Sequence, residues 1–187
     1  MGTRGTLSAL FFCFKRSRPH GRLSDETSDD LEAGRRLRDC VFCNVSSENG
    51  FNIVFEDENF AVFTDHKPSA VHHWQVIPKA HITSVRSLRK HDLHLVRTLG
   101  EIGHRFLDES GVPSHLRKLG FHIPPFNSVN HLHLHVQALP YTSIFGRVKY
   151  PVVARTNGRN KGFSWFSELA QTIHILERDG RVGVFPC

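Results

Sequence analysis

The sequence predicts a single α+β domain: an antiparallel sheet of about five strands, one long helix packed on it, and a C-terminal helix. Three observations carry this expectation. Short β-rich runs recur between residues 51 and 139, the segment Asp92 to Glu109 has apolar residues at helical spacing, and 187 residues with 39% hydrophobic content suffice for one substantial core.

Residues 1–39 show neither helical nor alternating hydrophobic spacing and read as a disordered tail, with a short helical stretch around Asp30 to Arg38. The packed domain is expected over residues 40–150. Phe51 to Phe55 and Asn59 to Thr64 form two strands joined by Glu56-Asp57-Glu58, the pattern of an antiparallel hairpin. A third strand, His72 to Ile77, follows the turn Lys67-Pro68-Ser69 and ends at Pro78. Leu93, Val96, Leu99, Ile102 and Phe106 recur at three- and four-residue steps, giving an amphipathic helix that Gly111-Val112-Pro113 stops. Two more strands, Leu119 to Ile123 and Leu132 to Leu139, flank the Pro-rich segment Pro124 to Ser128. In residues 151–187 a loop, Thr156 to Gly162, precedes a helix from Ser164 to Glu177, whose core-facing stripe is Phe163, Trp165, Phe166, Leu169, Ile173 and Leu176.

Composition narrows the function classes. No run approaches the roughly 20 apolar residues of a membrane-spanning helix, because Lys15 and Arg16 break the cluster Leu10 to Phe14. Four cysteines and no visible secretory leader point to a reducing compartment, with the cytoplasm or nucleus as the expected location. The net charge of +6 owes much to a tail without acids before Asp25, and no helix-turn-helix or zinc-finger spacing supports specific nucleic-acid binding. Besides a solvated tail, the N-terminus admits an organelle-targeting leader or a lipid anchor at Gly2 and Cys13.

The 14 histidines are the compositional oddity, and three of them alternate in His131-Leu132-His133-Leu134-His135-Val136. On an extended strand these imidazoles share one face at about 7 Å spacing, while Leu132, Leu134 and Val136 enter the core. Three rings titrating near neutrality can divide roles: one neutral nucleophile, one partner that fixes its tautomer, and one donor to developing negative charge. Metal ligation is the other chemical use of such a set.

The string His131 to Gln137, HLHLHVQ, resembles the signature of the histidine triad (HIT) superfamily. Asp65, the block His73-Trp74-Gln75-Val76-Ile77-Pro78-Lys79-Ala80-His81 and Ser128 extend the resemblance over about Cys40 to Tyr150. The pattern looks most like the histidine triad nucleotide-binding (HINT) branch, especially its longer members with N-terminal extensions. The resemblance implies a HIT-like fold, a homodimer, and an adenosine 5'-monophosphoramidase that splits the P–N bond of AMP-amine or AMP-lysine conjugates. Aminoacyl-adenylates are further implied substrates. His133 would be the nucleophile that becomes adenylylated, His131 would orient it through a backbone hydrogen bond, and His135 would contact the phosphate or bridge to the departing group. Ser128 would donate to the phosphate or the leaving nitrogen. Asp65 would hold the ribose hydroxyls, with His66, Leu134, Ile53 and Phe63 completing the nucleotide site, the last two in an apolar slot with Phe55.

The resemblance leaves two other readings, a diadenosine polyphosphate hydrolase and a noncatalytic purine-nucleotide-binding regulatory module. His135 stands where uridylyltransferase relatives have Gln, which favours hydrolysis. His122 lies near the place of an Asn in the loop of shorter HINT proteins. No cofactor is required for covalent imidazole chemistry, yet Cys40-Val41-Phe42-Cys43 is a C-x-x-C that some HIT proteins use with two histidines for zinc. Here His81 and His131 would complete a structural Cys40, Cys43, His81, His131 set.

Overall fold

The computed structural model describes residues 36–154 and 160–186. The readings placed on Gly2, Cys13 and the rest of residues 1–35, on Cys187, and on the middle of the loop before the last helix lie outside them. Arg36 to Asp39, the described end of the expected tail, contains a turn and no helix. Among the described residues, no helix is long and apolar enough to cross a membrane.

The chain folds as strands β1 (Ile53–Glu56), β2 (Phe60–Thr64) and β3 (His73–Pro78), helix α1 (Leu93–Glu109), strands β4 (Arg117–His122) and β5 (Leu134–Ala138), a short helix α2 (Ile144–Lys149), strand β6 (Phe166–Glu168) and helix α3 (Leu169–Glu177). One antiparallel sheet runs in the order β1-β2-β3-β5-β4-β6. The hairpin between β1 and β2 closes where predicted: the Asp57 carboxylate accepts from the backbone N–H groups of Asn59 and Phe60 at 2.8 and 2.6 Å.

Register divides the sheet into two unlike faces. Phe63, Gln75, His135 and Gly120 lie opposite one another across four strands, and Val62, Val76 and Leu134 do so on the other face. The second face is apolar and takes α1 and α3. Val96, Leu99 and Leu107 of α1 are fully buried there, at about 1.5–3 kcal/mol each, so tertiary packing more than helix propensity holds the helix. The 3-10 turn Lys90–Asp92 that leads into α1 is closed by the Asp92 carboxylate, which accepts from the Arg89 N–H at 2.7 Å, and the chain leaves α1 through Gly111 at φ +66°.

Two elements differ from expectation. The predicted last helix begins only at Leu169, because Phe166, Ser167 and Glu168 pair with His122, Phe121 and Gly120 to form a sixth strand along the outer edge of β4. Phe163 is therefore not part of a core stripe; it is 51% exposed and packs against Phe185. Nor do the three triad imidazoles form a row on one strand. β5 starts at Leu134, so His131 and His133 precede it in irregular chain, while Leu132, Leu134 and Val136 are all buried as the alternation requires.

Gly120 explains how β6 reaches β4. A Cβ there would stand 2.5 Å from both the Ser167 carbonyl oxygen and the Phe166 ring. The backbone oxygen cannot swing aside as a side chain can. Gly120→Ala should lower unfolding stability by about 1–3 kcal/mol in urea titration and raise amide exchange across Phe166–Glu168. Unchanged exchange in that strand would show that the close approach is not needed.

Candidate active site

The face of the sheet away from α1 carries the polar cluster. His73 and Gln75 project from β3, His135 from β5 and His122 from the end of β4; Asp65 follows β2, and Tyr150, fully buried after α2, packs its ring against His73, His122 and His135. At the other end of this face the single-turn helix Val41–Asn44 covers Phe63 and Ile77 with Phe42. The ring of Phe42 also meets that of His133 edge-on at 5.3 Å.

The hydrogen bonds assign the tautomers. His122 Nε2 lies 2.9 Å from the Lys149 carbonyl, which can only accept, so Nε2 carries the proton and Nδ1 of the neutral ring is a lone pair. That lone pair faces His135 Nε2 at 3.0 Å, which must then be N–H, leaving His135 Nδ1 to accept from His73 Nε2 at 3.0 Å. The other end agrees: His73 Nδ1 accepts from the Ser69 backbone N–H at 3.1 Å. Three neutral imidazoles thus form one directional chain from a backbone N–H to a backbone carbonyl. Burial is the main reason they are neutral. It pushes His73 down to about 4 against the attraction of Asp65, and it drives His135 well below and His122 below the ordinary imidazole value. Lys149 adds to the depression in all three.

His133 has a separate geometry. Its Nδ1–H donates to the carbonyl oxygen of His131 at 2.6 Å, which leaves the Nε2 lone pair available for reaction. Burial holds this ring at about 4, against the raising effect of that carbonyl. His131 is fixed in turn by Nε2–H donation to the Pro78 carbonyl at 2.8 Å, so its Nδ1 lone pair points at the thiols of Cys40 and Cys43, each 3.5 Å away. Cys43 Sγ is also 3.3 Å from His81 Nδ1. One ligand atom from each of these four residues lies within 4.8 Å of the others.

Asp65 is buried beside the chain. Its Oδ1 accepts from the Lys67 N–H at 2.8 Å and its Oδ2 from the Gln75 amide at 2.7 Å. Burial raises the carboxyl, but His73, these two donors and Lys149 together hold it below the usual value. Of the other expected site residues, Phe63 is buried against Phe42 and Phe51, Ile53 is half-buried beside it, and His66 is exposed, 3.7 Å from the Asp65 carboxylate. Ser128 is exposed in the loop before His131. The Leu134 assignment needs correction: its side chain is in the apolar core on the α1 face, so only its backbone can meet a nucleotide on the histidine face. Sequence reasoning gave no role to His73, Gln75, Lys149 or Tyr150. The alternation His73, Gln75, Ile77 against Trp74, Val76 could have placed the first two on the triad's face; nothing local marks the last two.

The profile of a family described as "Scavenger mRNA decapping enzyme C-term binding" matches residues 39–150. Over 122 residues the chain is 40% identical to the bifunctional adenosine 5'-phosphosulfate phosphorylase/adenylylsulfatase HINT4 of Arabidopsis thaliana, covering 64% of this chain and 83% of that protein. Over 142 residues it is 39% identical to adenosine 5'-monophosphoramidase HINT3 of Danio rerio, covering 73% and 81%. Among solved structures, a HIT family hydrolase from Legionella pneumophila superposes with a TM-score of 0.51 at 26% identity, over 57% of this chain and 97% of that one. A histidine triad protein from Clostridium difficile gives 0.52 at 24%, over 58% and 100%, which speaks to fold alone.

The neutral imidazole chain makes stability pH-dependent with a defined sign. His73 falls from 6.5 to about 4 on folding, so between those values the unfolded chain binds more protons than the folded one. Stability should therefore be lost as pH drops from about 6.5 towards 4. His73→Gln, which keeps a donor for His135, should flatten the dependence of Tm on pH across that window, and equal slopes for the two proteins would refute the assignment.

Proposed function

The chain belongs to the histidine triad superfamily, within its HINT-like branch, and from that membership and the geometry of its site we propose that it is an adenosine 5'-monophosphoramidase working through an AMP-histidine intermediate. The observation that carries the mechanism is the His133 ring: Nδ1–H is committed to the His131 carbonyl and Nε2 keeps its lone pair. In the first step Nε2 bonds to the α-phosphorus, the P–N bond breaks, and the departing nitrogen takes a proton from solvent so that it leaves as the amine. The imidazole becomes cationic as the new bond forms, and the His131 carbonyl, 2.6 Å from Nδ1, stabilises that charge where it develops. In the second step water bonds to phosphorus, the Nε2–P bond breaks to restore the Nε2 lone pair, the water's proton passes to solvent in place of the one taken up in the first step, and AMP departs.

The other residues take supporting roles. His135 and His122, held by the imidazole chain, present fixed dipoles beside the phosphate, and the Lys149 ammonium acts on His73, His122, His133 and His135 from the end of α2. Ser128 serves the phosphate or the leaving nitrogen from the loop that also bears Asn127, which lines the same small cavity as His122 and His133. Asp65 takes the ribose hydroxyls, and Phe42 with Phe63 gives the purine an apolar flank.

His133→Ala should reduce kcat/KM for adenosine 5'-phosphoramidate by about 10³-fold or more. Mass spectrometry of enzyme quenched during turnover should show an AMP adduct on His133 in the parent protein. A variant that retains activity would refute the nucleophile assignment, and faster turnover of diadenosine polyphosphates than of the phosphoramidate would replace the substrate class.

We also propose that Cys40, Cys43, His81 and His131 hold one structural zinc ion. Two thiols and two imidazoles suit that metal, their ligand atoms already converge, and the Pro78 carbonyl fixes His131 in the tautomer whose Nδ1 faces the thiols. Bound there, zinc would clamp the Val41–Asn44 turn to the segment before β5 and would take no part in bond breaking. Elemental analysis of protein made in zinc-replete medium should give about one zinc per chain, Cys43→Ser should lose it, and chelation should lower Tm. A metal-free parent protein would refute the site.

A further inference from the structure

Gln75 stands at the middle of the histidine face, between Phe63 on β2 and His135 on β5, and is 5% exposed. A glutamine amide has two donor hydrogens on nitrogen and two lone pairs on oxygen, and here the two ends are not interchangeable. Nε2 donates to Asp65 Oδ2 at 2.7 Å. Turning the amide over would press Oε1 against a carboxylate oxygen, two acceptors in contact, so the nitrogen must face Asp65 and the carbonyl must point along the other branch. There Oε1 is buried with no hydrogen-bond partner among the described residues. Such an orphaned acceptor costs about 1–3 kcal/mol, and a leucine would fill the same space without that cost. The arrangement is explained if a ligand brings the missing donor.

The neighbouring carboxylate indicates which donor. Asp65 already accepts the Lys67 N–H on one oxygen and the Gln75 amide on the other, with His73 Nε2 3.4 Å from that second oxygen. A vicinal diol carries two O–H donors on adjacent carbons and needs two acceptors side by side; the crowded Asp65 supplies one and Gln75 Oε1 the other. We propose that Gln75 is a specificity-determining residue whose Oε1 accepts a hydrogen bond from one ribose hydroxyl of the bound nucleotide while Asp65 accepts from its neighbour. The proposal rests on the reading of this face as a nucleotide site with Asp65 on the ribose. It makes Gln75 a discriminator between ribose and deoxyribose, because a sugar lacking the hydroxyl leaves Oε1 unpaired, and polar sites reject ligands that strand a buried group.

Calorimetric titration of AMP, 2'-deoxy-AMP and 3'-deoxy-AMP into the full chain and into Gln75→Leu tests this without requiring turnover. The parent protein should bind AMP at least tenfold more tightly than one of the two deoxynucleotides, and Gln75→Leu should lose most of that preference while still binding the deoxynucleotide. A parent protein that binds all three nucleotides equally overturns the proposal whatever the variant does. A folded Gln75→Leu protein, judged by circular dichroism, that keeps the parental ratio overturns it as well. Failure of the parent to bind AMP at all overturns the nucleotide reading beneath it, whereas binding with the expected ratio but without phosphoramidate hydrolysis leaves Gln75 in place and removes only the proposed reaction.

Discussion

Five histidines, His73, His122, His131, His133 and His135, are at most 7% exposed, and each brings a ring N–H that must be partnered away from water. The protein meets this demand by joining the rings to one another and to backbone groups that cannot rearrange. Ser69 N–H and Lys149 C=O close the two ends of the His73, His135, His122 chain, and the carbonyls of Pro78 and His131 fix the other two rings. Among the described residues no hydrogen bond takes His133 Nε2, whose lone pair stays open while Nδ1–H is committed to the His131 carbonyl. Burial therefore does more than shelter the site: it compels the pairing that selects a tautomer at every ring.

The fold follows from the need to carry such a cluster on a sheet. A face of imidazoles cannot also be the main hydrophobic layer, so α1 and α3 pack entirely on the opposite face. The histidine face is closed by smaller pieces, the Val41–Asn44 turn at one end and α2 with Tyr150 at the other. β6 extends the sheet beyond β4, and its Phe166 ring packs against His122 and Tyr150. Residues far apart in sequence are in this way recruited to hold one desolvated group.

What the sequence made legible, and what it did not, has a physical division. Period-two and period-3.6 spacing is written locally, so β2, β3, α1 and the inward set Leu132, Leu134, Val136 could be read directly. β6 could not, because Phe166 and Leu169 satisfy a helical spacing equally well, and only the open edge of β4 decides between strand and helix for Phe166–Glu168. The site shows the same division. The alternating histidines announced themselves, but the partner of each ring is set by tertiary placement, which is why Lys149 and Tyr150 carried no signal and why His73 needed the register of β3 against β5.

The residue that ties these parts together is His131, through both halves of its structure. Its backbone carbonyl fixes the tautomer of His133, while its side chain reaches across to the two cysteines of the N-terminal turn and back to Pro78 at the end of β3. A displacement of the turn bearing Cys40 and Cys43 would act on the His131 ring, and the same residue supplies the carbonyl that holds His133 Nδ1. Phe42, held between the two cysteines in sequence, lies against both His131 and His133, so the turn touches His133 by packing as well. The C-x-x-C turn thus braces the segment that carries His131 and His133, its thiols lying against the imidazoles of His81 and His131 and its Phe42 against those of His131 and His133.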